Sequence, residues 1–126
     1  MAFTDYLENK LVAHTFSNTA YTSPTTVYVA LYTVAPTDST SGTEVSGGGY
    51  ARQSAAFTTT NNAATNSAAI EYPTATASYG TVVAVAILDA SSGGNMLAYA
   101  SLSSNKTIDT GDVFRIPAGD LDITLD

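Results

Sequence analysis

Cysteine is absent from this 126-residue chain. That removes disulfide frameworks, thiolate metal sites and cysteine nucleophiles together. Tryptophan is absent as well, which weakens any reading as a sugar-binding cleft. A single histidine, His14, is too little for a zinc site without other nitrogen or sulfur ligands. Cations are also scarce: Lys10, Arg52, Lys106 and Arg115 stand against 11 acids, for a net charge of −7. Phosphate neutralisation needs clustered Lys and Arg, so no nucleic-acid partner is expected, and an anionic membrane surface is disfavoured on the same ground. The longest apolar run, Val82 to Leu88, is too short to span a bilayer. The first residues lack the basic start and apolar core of a signal peptide, so folding in a reducing cytoplasm is the expectation.

What is present is threonine, alanine and serine, with 8 tyrosines. Charged residues are only 12% of the chain, about half the usual share. Two explanations are open: hydroxyl side chains carry the surface, or an assembly covers much of it. The length suits one domain, 1–126, with a real core.

Residues 3–16, within an N-terminal segment 1–17, read as the one good helix. Phe3, Leu7, Leu11 and His14 form a stripe with Tyr6 and Lys10 beside it. Thr4 can cap the start, and Asp5 and Glu8 suit the positive end of the dipole. Val12 and Phe16 fall on the opposite face. Either the helix stops near Ala13, or both of its faces are covered.

The remainder reads as β. Residues 25–34, "TTVYVALYTV", are β-branched and aromatic at period two, with both faces apolar. Val27, Val29 and Leu31 share one side; Tyr28, Ala30 and Tyr32 share the other. "APTDSTSGTEVSGGG" (35–49) is a long polar loop, either functional or mobile. Residues 50–57 read as a strand, 58–66 as turn or loop, and 67–73 as a strand closed by Pro73. "GTVVAVAILDA" (80–90) is the strongest strand and should be central. Strict alternation puts Val82, Ala84, Ala86 and Leu88 on one face, with Val83, Val85 and Ile87 on the other. "SSGGN" is a hairpin turn into 96–102. A short element around Ile108 and strands at 113–117 and 121–126 complete the chain. In the last, Leu121, Ile123 and Leu125 should face inward and Asp122, Thr124 and Asp126 outward. Many short strands after one helix predict a mainly β fold, an antiparallel sandwich or barrel of jelly-roll type.

Catalytic and metal motifs are weak. "EVSGGGYARQ" has glycines but lacks the Lys-Ser/Thr of a phosphate loop, and a strand follows where that loop needs a helix. The glycines instead allow positive φ on entry to a strand, or close approach of another backbone. Arg52 suits a forked pair with a carboxylate, inside the chain or between subunits. His14 has no nucleophile elbow to serve. Asp109, Asp112, Asp120, Asp122 and Asp126 lack EF-hand spacing and read as turn acids and a solvated strand face. No enzyme activity and no cofactor are expected. The tyrosines suit either an interface or the sandwich core.

Four stretches, "MAFTDYLENKLVAHTF", "YTSPTTVYVALYT", "GTEVSGGGYARQ" and "GDVFRIPAGDLDITLD", together resemble a family of small tailed-bacteriophage virion proteins commonly labelled tail fibre proteins. The resemblance runs nearly end to end. In size and expected fold the chain is also similar to capsid cement, or decoration, proteins. The resemblance implies a non-enzymatic virion protein assembled in the host cytoplasm. The cement reading implies a homo-oligomer, trimer or dimer, whose other partner is the major capsid protein. The fibre reading implies a host-surface partner. The chain has no heptads or β-helix repeats to build a shaft, which favours cement over fibre. On either reading the candidate interface residues are Phe3, Tyr6, Leu7, Val12, His14, Phe16, Tyr50 and Arg52.

Overall fold

The structure is a computed structural model and describes residues 1–125. In chain order its elements are β1 (Ala2–Phe3), α1 (Asp5–Phe16), β2 (Val27–Val34), β3 (Thr43–Glu44), β4 (Gln53–Ala55) and β5 (Phe57–Thr60). There follow β6 (Ala63–Asn66), β7 (Ile70–Glu71), β8 (Gly80–Leu88), β9 (Met96–Ile108), β10 (Arg115–Ile116) and β11 (Asp122–Thr124). The fold is mainly β with one N-terminal helix, and the strand pairs are antiparallel.

The largest sheet runs β1-β9-β8-β2-β3, with β4 also on β2; β10-β7 and β11-β6-β5 form two smaller sheets. The sheets do not close into a barrel. They pack in sandwich fashion instead. One face of the large sheet, with Val29, Leu31, Val82, Val85 and Ile87, meets Ile70, Tyr72, Ile116 and Leu121 from the smaller sheets and their flanks. Each large aliphatic residue buried there contributes about 1.5–3 kcal/mol. The opposite face carries a second cluster, Ala30, Tyr32, Ala84, Ala86 and Leu88, with Val83, Met96 and Tyr99 against it. The apolar character of both sides of β2 and β8 therefore has a direct cause: two clusters, one on each face.

Strict alternation fails at one point of β8. Val82 packs with Val85 and Ile87, whereas Val83 packs with Ala84. The break coincides with a register shift between Val82 and Ala84, whose partners on β9 are Lys106 and Ser101. Extra residues on β9 interrupt the ladder there.

Other boundaries differ from the sequence reading. The helix begins at Asp5, not residue 3, because Phe3 pairs with Ala98 in β1. It continues through Phe16 rather than stopping near Ala13. Residues 58–66 are not a loop: Thr58 to Asn66 form most of the β5–β6 hairpin, turning at Asn61, whose φ is 53°. The 50–57 stretch is not one strand, since β4 and β5 pair with different sheets. Of 67–73, only Ile70–Glu71 is strand, although Tyr72 is buried. The element at Ile108 is the end of the long β9. Leu125 is exposed, not inward. Asp126 lies outside the described residues.

Candidate functional site

The polar 35–49 segment is tied to the sheet at its far end. β3 pairs with the second half of β2, through Tyr32 and Val34, and β4 with the first half, through Val27 to Val29. Between them the chain swings away from the edge at Gly47, Gly48 and Gly49, all with positive φ. That detour answers why three glycines stand together. A Cβ on Gly48 would lie 2.6 Å from the Ala77 carbonyl oxygen, and the Gly48 carbonyl accepts from Thr76 N–H at 3.0 Å. The turn is a backbone-to-backbone approach and not a phosphate cradle.

The detour leaves part of β2 without a strand neighbour, and Tyr50 repairs it. Its hydroxyl accepts from Leu31 N–H at 3.0 Å and donates to Glu44 Oε2 at 2.7 Å. Arg52 closes the corner. Its guanidinium forks onto Glu44 at 2.8 and 2.9 Å, and donates to the carbonyls of Ala90 and Gly93, each at 2.9 Å. One side chain thus links β3 to the β8–β9 turn. The Arg52 and Glu44 side chains are only 10% and 24% exposed, so this is an internal pair of the kind expected for Arg52 within the chain.

The electrostatics follow. Burial raises the Tyr50 hydroxyl, and its bond to Glu44 raises it further. Burial pushes Tyr32 up to about 12, with the Glu44 charge adding to it. Burial alone would raise the Glu44 carboxyl, but the hydrogen bonds from Arg52 and Tyr50 and the guanidinium charge outweigh it and hold Glu44 below its ordinary range. Behind the corner, the Tyr50 ring lies parallel to Tyr72 at 6.1 Å and edge-on to Tyr79 at 5.7 Å. Tyr72 donates to the Val29 carbonyl at 2.7 Å. These tyrosines fill the core, whichever role the remaining ones have.

The helix end is different. Thr4 is buried and caps α1, accepting from Leu7 N–H at 3.4 Å while donating to the Met96 carbonyl at 2.6 Å. Its own N–H donates to Leu97 O at 2.9 Å. Tyr6 and Leu7 pack on the main core, half-buried. Beyond that first turn Leu11 and Ala13 are still half-buried, but none of the helix residues is fully buried. Val12 is 58% and Phe16 81% exposed; four residues apart, they share a helix face. His14 is exposed, not packed on an apolar stripe, and its Nδ1 accepts from Tyr21 N–H at 3.1 Å.

The eight candidate residues therefore do not converge on one site. Phe3, Tyr6 and Leu7 anchor the N-terminal segment, Tyr50 and Arg52 belong to an internal corner, and Val12, His14 and Phe16 lie outside. The sequence reading missed Glu44, the hub of the corner. A carboxylate at the end of the polar loop, facing an isolated arginine across the glycines, was the available signal. The carboxylates of Asp5, Glu8 and Asp38 approach within 4.8 Å of one another. All three are exposed, and Asp38 already accepts from the Tyr99 hydroxyl.

No curated protein matches the chain at a meaningful level. A family model does, over residues 2–124, and its description is Podophage GP4 fiber I protein gp80. With nearly the whole chain matched, the protein belongs to this phage fibre family, and its place is in the virion.

Proposed function

We propose that this chain is a non-enzymatic structural subunit of a tailed-phage fibre, working by contact with neighbouring virion proteins and, at an exposed position, with the host surface. The family match along nearly the whole chain is the observation that carries this reading. The side-chain chemistry is consistent with it. The one forked ion pair among the described residues is a structural tie, and the exposed apolar groups Val12 and Phe16 form a face that a neighbour can cover.

A second reading is capsid cement, a dimer or trimer clamping major capsid subunits. It is favoured by the absence of shaft-building repeats in a chain of short strands. Copy number per virion separates the two: mass spectrometry against the major capsid protein gives tens of copies for a fibre subunit and hundreds, in fixed ratio to the shell, for cement. The contact itself is tested by Val12→Ser with Phe16→Ser. Deleting residues 1–17 is a poorer test, because it also removes β1 and the Thr4 tie to β9.

A further inference from the structure

We propose that the free edge of β5 is a self-association surface, on which β5 of a second copy adds antiparallel and joins two three-stranded sheets into one. The observation behind this is how differently the sheet edges are guarded. β1, β3, β7 and β10 are two residues long, β4 three, and the stretch of β9 that β1 leaves uncovered carries Lys106. β11 carries the exposed Asp122 and follows Asp120. Short length and charge are the usual ways of preventing stray pairing. β5 has neither. It is Phe57-Thr58-Thr59-Thr60, without proline or charge, and it pairs with β6 in unbroken register.

Its hydrogen-bonding direction is determined. Ser67 N–H donates to the Ala56 carbonyl, and Thr58 and Thr60 lie opposite Thr65 and Ala63. Backbone groups alternate along a strand, so Ala56, Thr58 and Thr60 bond towards β6. The N–H and C=O of Phe57 and Thr59 face away from it. A groove of about 450 Å3, lined by Pro24, Val27, Ala55 and Phe57 among others, lies at the start of this strand.

Charge selects the occupant. At −7, two copies repel one another wherever acids meet. Residues 53–70 contain no charged side chain, so here that repulsion is weakest. Pairing β5 with β11 of another copy would bring Asp122 to an edge with no cation. Pairing β5 with itself does not. A two-fold axis at Thr58 also makes the backbone self-complementary: Phe57 exchanges both N–H···O bonds with Thr59 of the partner subunit, and Thr59 does the same with Phe57 of the partner subunit. Thr58 then faces Thr58 of the partner subunit as a non-hydrogen-bonded pair.

That register is directly testable, because the full-length chain has no cysteine of its own. Non-hydrogen-bonded pairs have Cα atoms about 4.5 Å apart, within disulfide range. Thr58→Cys should form a covalent dimer on mild oxidation, about tenfold or more faster than Thr110→Cys in an exposed turn, since pairing raises the effective thiol concentration. In light scattering the wild type should have the mass of two chains, and Thr59→Lys or Thr59→Pro the mass of one, with far-ultraviolet spectra unchanged. The Thr59 N–H faces outward, so proline there removes only an intermolecular bond. A monomeric wild type overturns the proposal. So does a Thr58→Cys rate no greater than that of Thr110→Cys, or an oligomer whose mass both Thr59 variants leave unchanged. If Thr59→Pro does not fold, the lysine variant and the cysteine rate still decide. Neither outcome depends on copy number in the virion.

Discussion

The Glu44–Tyr50–Arg52 corner and the outer half of α1 lie in the same small fold and use their side chains in opposite ways. In the corner, every strong polar group has a partner inside the chain, and three elements are joined through one guanidinium. On α1, a single buried threonine holds the first turn, while Val12 and Phe16 remain uncovered. The corner is closed on itself, whereas the helix end leaves apolar side chains exposed. In a protein whose family places it in a phage virion, the polar residues that look most chemical are thus the least available for recognition.

Removing aromatic support from behind the corner should have the largest effect. Tyr72→Ala leaves a cavity beside Tyr50 and Phe114 and removes the hydrogen bond to the Val29 carbonyl; it should cost about 3–5 kcal/mol in urea unfolding. Arg52→Ala leaves Glu44 half-buried without its cation and frees the β8–β9 turn, for about 2–3 kcal/mol by the same measurement. The glycines should separate by position. Gly48→Ala meets both a positive φ and the Ala77 carbonyl, costing about 2 kcal/mol, whereas Gly47→Ala has open space around it and costs about 1.

Acid should weaken the same corner. The Glu44 carboxyl is lowered from the 4.5 of an unperturbed group, so the unfolded chain takes up its proton first. Its stabilising contribution is complete above that value and is lost as pH falls through the lowered one. Urea midpoints measured from about pH 6 down to about pH 3 should show a decline that Glu44→Gln makes shallower. The smallest effect on stability belongs to the helix. Val12→Ser with Phe16→Ser should change it by no more than about 0.5 kcal/mol, yet remove the protein from assembled virions, read by mass spectrometry of purified particles. A large loss of stability there would erase the contrast between the two regions.

Much of the β architecture was legible because it rests on local alternation. The covered faces of β2 and β8 show in Val29, Ala30, Leu31 and in Val85, Ala86, Ile87. The Thr4 cap was legible for the same reason, since it needs only residues three apart. The β5–β6 hairpin was not. Its threonines and asparagines resemble a loop, and only pairing with β11 and proximity to Leu121 make them strands. Phe3 looked helical because its spacing matches Leu7, but the ladder offered by Ala98 satisfies its backbone better.

Composition and period by themselves determined a mainly β, cysteine-free, acidic chain with one capped helix. Those are properties of nearest neighbours and of sums over the chain. The tertiary structure decided which apolar face of the helix remains open, that Val82 and Val83 join opposite cores where the β8–β9 register shifts, and that Arg52 answers to Glu44 across the glycine turn. Each of these depends on which backbone groups are left unpaired after distant strands have met, and a backbone donor finds its partner in space before it finds it in sequence.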